Sequence, residues 1–461
     1  MKKFLPRRAP FLSWKPTMED RHLRLSRRKF LRQAAALTLA TGLPEAAAGA
    51  SETPAIFRAR PPKPGKEGRK PIAVITTVYR PLAHCDHIAG RFIQGYPRDG
   101  RFHVPQSYVS SMYVDQVPDN DLSRGMAKDF DFRLTRSVAD ALTNGTDKLA
   151  VDGVLLIAEH GNYPRNDKGQ ILYPRFEMME QIVSVFRKTG KAVPVFNDKH
   201  LSYSWSKAKQ MFAWSRELQF PLMAGSSLPV TWRQPELELP LQAPIEDALV
   251  ACYGPIEVYG FHGLETLQVM LERRRGGETG VKAVTCLTGN EVWKAGDAGL
   301  WSWDLLEAAL GRSETLNVGD IRRNTGTIAV GNMPKTPPMA FLVEYRDGVR
   351  GTVLLLNGHV QDFTFAAKVK GESQPLSCLF RLPPPPGAKF FDCLVGNIEK
   401  LLDTGKSPYP VQRTLLTSGI LDSAMESHYR RGQRTETPEL DIIYTAPADS
   451  GFFRGSVASP V

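Results

Sequence analysis

Ile72-Ala73-Val74-Ile75-Thr76-Thr77-Val78-Tyr79-Arg80-Pro81-Leu82 sets an uninterrupted apolar run against a polar turn, and helical spacing follows from Leu82 to Phe92. Four consecutive apolar residues ahead of a turn are the form of a short strand buried on both faces, as the strands of a parallel sheet are. Further strands are expected at 108–114, 153–158, 192–196 and 221–224, with helical patterns at 123–130, 137–142, 175–189 and 204–219. Alternating strand and helix predicts a doubly wound α/β sheet with right-handed crossovers, over residues 71–235. Beyond about residue 240 the strands lengthen and helices thin out: 249–253, 281–287, 340–345, 353–356 and 363–369 read as strands, with a hairpin turn at Tyr345-Arg346-Asp347-Gly348-Val349. This predicts a C-terminal α+β domain with a large, mainly antiparallel sheet over 236–412. Its helices are expected at 263–274, 303–310 and 392–403. A helix at 414–429 is expected to return to the first domain as the segment 413–430, ahead of a tail at 431–461, while the irregular stretch 289–338 is expected to form a lid or an oligomer contact.

The chain has 461 residues and a formal charge of +11, 42% of it apolar and 23% charged. Collagen-like, wholly disordered and polytopic membrane classes are excluded by that composition. The charge is unevenly placed. Residues 1–50 carry 11 Lys and Arg against 3 Asp and Glu, which leaves +3 for the remainder. Ser26-Arg27-Arg28-Lys29-Phe30-Leu31, the mild apolar stretch 34–43 and Ala48-Gly49-Ala50 read as a twin-arginine signal peptide with its cleavage site. Translation from Met18 would give that signal an n-region of more ordinary length. About ten apolar residues are too few to span a bilayer. The expected location is therefore periplasmic or otherwise exported by the twin-arginine machinery, without a transmembrane anchor. Residues 51–70 read as a Pro/Gly/Lys linker. Five scattered cysteines form no C-x-x-C pair and read mostly as buried small apolar residues.

In an open α/β sheet ligands bind beyond the carboxyl ends of the strands. Those ends carry Thr76-Thr77, Asp115, Glu159-His160, Asp198-Lys199-His200 and Ser226-Ser227. A dinucleotide fold uses glycines at the first turn so that phosphate can approach backbone amides. No glycine occurs between Thr76 and Leu82, which leaves the hydroxyls of Thr76 and Thr77 and the guanidinium of Arg80 to meet phosphate, or else Tyr79 to fill its space. Asp115 stands where an acid meets the adenosine ribose, at a spacing stretched by the polar insertion 95–106.

Three local matches resemble the Gfo/Idh/MocA oxidoreductases, across roughly residues 70–430. Gly190-Lys191-Ala192-Val193-Pro194-Val195-Phe196-Asn197-Asp198-Lys199-His200 is similar to the family's G-K-x-V-x-x-E-K-P, with Asp198 and His200 in place of Glu and Pro. Gly260-Phe261-His262-Gly263-Leu264-Glu265 is similar to G-x-H-x-x-D, and residues 398–427, with Gly405-Lys406, Arg413 and Gly419, resemble the family's closing helix. The resemblance implies a Rossmann-like domain binding NAD or NADP through Thr76, Thr77, Arg80, Asp115 and His160. It implies catalysis by Lys199, polarising a sugar or polyol hydroxyl, and His262, accepting its proton. The acid that many members carry four residues before the histidine is Val258 here, with Glu257 and Glu265 nearby. Glu159, Tyr163, Arg165, His200, Tyr203 and Trp232 are the expected substrate contacts, the aromatics suiting a polyol. Family members commonly oligomerise through the open face of the second sheet, so a homo-oligomer is expected.

Two alternatives stand beside this reading: a nucleotide-free carbohydrate-binding or assembly protein, and a cofactor-independent sugar lyase or hydratase with Glu159 or His160 as a second acid. His84 and His87 could share a helix face as some metal pairs do, but no third ligand is evident, and no metal is expected. No G-x-S-x-G elbow and no basic, aromatic-rich stripe for nucleic acid occurs in the body.

Overall fold

The computed structural model describes residues 63–98, 100–327 and 335–455; the signal segment and most of the linker lie outside them. β1 (Lys70–Thr76) leads into α1 (His84–Gln94), and the polar insertion folds as a hairpin of β2 (Tyr96–Arg98) and β3 (Arg101–His103). The chain continues through β4 (Ser107–Val114), α2 (Ser123–Phe130), β5 (Arg133–Thr135), α3 (Val138–Thr143), β6 (Val154–Ile157), α4 (Arg175–Thr189), β7 (Val195–Asp198), α5 (Trp205–Glu217) and β8 (Leu222–Gly225). The six longer-range strands form one parallel sheet in the order β5-β4-β1-β6-β7-β8. Winding runs outward from β1 to β4 and β5, then from β6 to β7 and β8, so the switch point lies between β1 and β6.

The apolar runs explain this sheet. Ile72 and Val74 join one core with α1, whereas Ala73 and Ile75 join the other with α3, α4 and α5. In α4, Met178, Met179, Ile182, Val183 and Phe186 recur at helical spacing toward that core, and Gly190, at φ 65°, ends the helix in the left-handed region.

A second, eight-stranded sheet follows: β9 (Trp232–Gln234), β10 (Ile245–Cys252), α6 (Val258–Leu271), β11 (Val281–Thr288), α7 (Asn290–Asp297), α8 (Trp303–Leu310), α9 (Ile321–Asn324), β12 (Met339–Tyr345), β13 (Arg350–Leu355), β14 (Phe363–Val369), β15 (Leu376–Arg381), α10 (Phe390–Thr404), α11 (Gln412–Tyr429) and β16 (Thr435–Glu436). Its order is β16-β11-β12-β13-β10-β14-β15-β9, antiparallel throughout except for β10 beside β13. The turn at Tyr345–Val349 joins β12 to β13, with the Tyr345 amide donating to Val349 O at 3.0 Å.

Several features depart from the sequence reading. β9 lies before the boundary expected at 235 yet pairs in the second sheet. β15 abuts Pro375 and the proline run at 383–386, whose breaker signals mask a strand that pairs fully with β14. α10 packs on the first sheet: Phe391, Leu394, Val395, Ile398 and Leu402 share the core of Ile72, Val74 and α1. The insertion hairpin is tied to α10 as well, Tyr96 Oη donating to Glu399 at 2.6 Å and His103 Nε2 lying 2.7 Å from the same carboxylate. The end of the expected linker is also held, by Lys66 pairing with Asp131 at 2.8 Å.

The second sheet is not open. One face packs on α6 and α11, while the other packs Leu249, Ala251, Ala340, Leu354 and Leu356 against Val292, Trp293, Trp301, Leu305 and Leu306. The described part of the irregular stretch, residues 289–327, carries α7, α8 and α9 and roofs this face, so the sheet face expected to be open is covered. Trp301 is its keystone: fully buried, with Nε1 donating to Val292 O at 2.9 Å. Only a glycine at 296 admits its ring, since a Cβ there would stand 2.4 Å from Trp301 Cζ2.

α11 is buried nearly all round because it is wedged between the two sheets. Val411, just before it, and Leu415 enter the first sheet's core, and Leu416, Ile420 and Ala424 the second's. Arg413 makes a doubly hydrogen-bonded pair with Glu272 at 2.8 and 2.6 Å.

All five cysteines are buried and unpaired with one another. No helix among the described residues is long and apolar enough to cross a membrane.

Candidate active site

The ends of β6, β7 and β8 and the start of α6 bring a dense polar cluster together. Glu159 is its centre. Its carboxylate forms an ion pair with Lys199 Nζ at 3.0 Å and is in direct contact with the Arg175 guanidinium, all three side chains being almost wholly buried. Burial alone would raise the Glu159 carboxyl, but Lys199 and Arg175 overrule it and hold the group well below its ordinary range. Two cations thus share one carboxylate.

Backbone geometry aims these groups. His160 at φ 71° and Lys199 at φ 62° occupy the left-handed region, uncommon for residues with a side chain and a frequent mark of functional sites. The Lys199 amide bonds back to Gly225 O at 3.1 Å, which turns the chain at the end of β7. Gly225, at φ 128°, leaves room for Glu265 and Thr414, either of which a Cβ would meet within 2.8 Å.

His262, partly buried in the first turns of α6, has Nδ1 2.6 Å from Ser226 Oγ. Glu265 supports this arrangement by accepting from the Ser226 amide at 3.2 Å and from the hydroxyls of Thr414 and Thr417 at 3.2 and 2.6 Å. Burial, then the charges of Lys199 and His84, hold His262 well below the usual imidazole range, so it is neutral. His200 is neutral for the same first reason and by its neighbour Arg175, whose Nη1 lies 3.2 Å from Nε2. Burial and His84 push His160 down to about 3. Glu257 moves the other way, raised by burial to about 7, with Oε2 accepting from the Ile171 amide at 2.8 Å. Five buried polar atoms here have no partner among the described residues: His160 Nε2, Arg175 Nε, Asn197 Oδ1, His200 Nδ1 and Glu257 Oε1. Such groups concentrated at one place are free to bind a polar ligand.

Other expected site residues are engaged differently. The hydroxyls of Thr76 and Thr77 donate to Ile157 O and Glu159 O at 2.9 and 2.8 Å and are fully buried. Tyr79 is tucked beneath α1, its hydroxyl 3.7 Å from where a Gly90 Cβ would stand, and so does not lie across the crevice. Arg80 is partly exposed and close enough to His160 to act on it electrostatically. Asp115 is exposed at the end of β4 and accepts from Tyr113 and Tyr163 at 2.9 and 2.6 Å. Gln116 exchanges two bonds with the backbone of Asn162, at 3.1 and 2.8 Å. Because β1 lies between β4 and β6, the segment 161–163 that leaves β6 and bonds to Asp115 and Gln116 crosses the end of β1. It straps the switch point where a dinucleotide's phosphates would run, and that turn has neither glycine nor a free threonine hydroxyl to receive them.

Arg165 is exposed and bonds within its own loop to Gly169 O, and Tyr203 accepts from Lys207 at 2.8 Å. The structure does not bring Trp232 to the cluster: it is buried in β9 against Phe453. His84 is turned to Asp198 at 2.7 Å and His87 is stacked on Phe391, so the two imidazoles do not share a ligand. Arg175 is the residue that sequence reasoning missed, and His84 was read there only as half of a possible metal pair. An arginine at the first position of α4, where its charge opposes the helix dipole, was the available signal for the former. A cavity of about 680 Å³ opens elsewhere, where Pro221 leads into β8, between Phe212, Arg216, Tyr409 and Pro447, away from these groups.

No protein-family model and no curated protein sequence matches the chain. Solved structures similar to it include GenD2 from gentamicin A biosynthesis in complex with NAD, at 13% identity and TM-score 0.49 over 82% of this chain and 99% of that one. A probable dehydrogenase from Thermotoga maritima follows at 11% identity and TM-score 0.47 over 80% and 99%. The WlbA dehydrogenase from Bordetella pertussis, in complex with NADH and UDP-GlcNAcA, is 13% identical at TM-score 0.46 over 80% and 98%.

Proposed function

We propose that the chain is an exported, periplasmic Gfo/Idh/MocA-like oxidoreductase acting on a hydroxyl of a carbohydrate or polyol, with NAD or NADP tightly held. The observation that carries this reading is the convergence of Lys199, whose amide donates to Gly225 O at 3.1 Å, and His262, whose Nδ1 lies 2.6 Å from the hydroxyl of the adjacent Ser226, at the ends of β7 and β8. A fixed cation beside a developing alkoxide and a neutral imidazole are what moving a hydroxyl proton requires. Arg175 shares Glu159 with Lys199, so the lysine's charge is not wholly cancelled. When bound, the nicotinamide supplies the carbon that accepts hydride. On the protein side, Arg80 and Asp115 are the groups left to meet a nucleotide, and Tyr163 must leave Asp115 for it to lie along the crevice. Glu159 and His200 face the substrate side of the same cluster.

A second reading is favoured by the strap: a nucleotide-free carbohydrate-binding protein, or a lyase or hydratase using the same acid–base groups. Mass spectrometry of protein made with its signal intact separates the two. Release of NAD(H) or NADP(H) on denaturation is expected from the first, and its absence, together with sugar-dependent thermal protection, favours the second.

A further inference from the structure

The turn after β7 is folded around one side-chain amide. Asn197 Nδ2 donates to Asp198 O and to His200 O, each at 3.2 Å, and so fixes the loop that presents Lys199 and then His200 to the cluster. His200 is buried there, with Nε2 3.2 Å from Arg175 Nη1 and its ring centroid 5.2 Å from that of Phe261 in α6. Arg175 reaches this ring already held. It is the first residue of α4, its guanidinium lies 5.0 Å over the Tyr173 ring, and its Nη2 contacts Glu159.

A guanidinium has five N–H donors and no acceptor. The nitrogen it meets has to accept, so His200 Nε2 carries no hydrogen. Burial and then the Arg175 charge keep the imidazole neutral, and a neutral ring with a bare Nε2 holds its hydrogen on Nδ1. That Nδ1–H is buried and has no partner among the described residues. A donor left in this state is destabilising, and an oxygen brought by a ligand satisfies it.

We propose that Arg175 is a positioning residue that locks His200 as the Nδ1–H tautomer, and that this N–H donates to a hydroxyl of the bound sugar or polyol beside Lys199. This rests on the proposed function above and leaves Lys199 and His262 in the roles given there. His200 then contributes to substrate binding and takes no part in the proton transfer.

Nitrogen NMR of the ¹⁵N-histidine-labelled chain reads the tautomer with no substrate present, and the signals lost in His200→Asn assign the ring. Expected at His200 are a protonated Nδ1 and a bare Nε2, unchanged between about pH 5 and 8. In Arg175→Met, Glu159 keeps its pair with Lys199 while His200 loses its donor, so the other tautomer appears. A protonated Nε2 in the parent protein, or an unchanged tautomer in Arg175→Met, would overturn the role of Arg175. Asparagine at 200 keeps an N–H near the place of Nδ1, whereas glutamine places one near that of Nε2. His200→Gln should therefore raise KM for the sugar about tenfold with kcat held, and His200→Asn should not. Equal KM values in the two variants would overturn the donor role. A parent protein that turns over no sugar removes the proposed function and the hydroxyl partner with it, while the NMR result still decides what Arg175 does.

Discussion

Tyr163 donates its hydroxyl to Asp115 at 2.6 Å, and so ties the loop after β6 to the end of β4 across β1. On the proposed reading, a nucleotide lying along the crevice needs the place that this bond occupies. A hydrogen bond to a charged group contributes about 1.5–3 kcal/mol, so its removal in Tyr163→Phe should strengthen NADH binding about tenfold if the strap is the barrier. Energy transfer from tryptophan to NADH reads the affinity. Equal affinities in parent and variant would remove the strap as the obstacle.

Glu159 balances two buried cations, so its loss and the loss of Lys199 are not equivalent. Lys199→Met leaves Glu159 paired with Arg175, whereas Glu159→Gln leaves Lys199 and Arg175 facing each other. Breaking a buried pair costs about 3–5 kcal/mol. Urea denaturation should place Lys199→Met at the low end of that range and Glu159→Gln above it, with the double variant less stable than the parent by less than the sum.

Glu257 supplies a pH dependence of definite sign. Buried, it keeps its proton up to about pH 7, whereas in the unfolded chain it loses it near 4.5. Between those values the native state binds more protons, so this stabilising contribution is complete below about pH 4.5 and is lost as pH rises through 7, on the order of 3 kcal/mol in all. Glu257→Gln should equal the parent near pH 4 and exceed its stability at pH 8. Parallel stability curves for the two proteins would contradict it.

Trp301 tests the roof of the second sheet. Truncating a fully buried tryptophan costs about 3–5 kcal/mol, so Trp301→Ala should unfold earlier in denaturant by that amount. Gly296→Ala, which drives a methyl into the same ring, should destabilise through the same contact. Sedimentation of the two variants would also show whether loosening α7 and α8 creates new self-association.

Periodicity alone carried the first sheet. Helices at 123–130, 175–189 and 303–310 and the strand at 363–369 coincide with the structure residue for residue, because buried elements there have one apolar face or a continuous apolar run. Short or breaker-flanked elements such as β5, β9 and β15 were not legible, since their strand character comes from the neighbours they pair with. The strand ends also located the cluster, because a parallel sheet presents its loops in a fixed place.

Sequence by itself determined the α/β order of the first half, the polar groups at its strand ends and the missing glycine turn, all of which are local properties of the chain. Tertiary structure alone decided which of those groups meet. Thr76 and Thr77 spend their hydroxyls on the neighbouring strand end, α7 and α8 roof a sheet face that reads as open, and His84 pairs with an aspartate 114 residues away. Hydrogen-bond partners and charge balance in a buried site depend on distance in space, and residue spacing does not encode it.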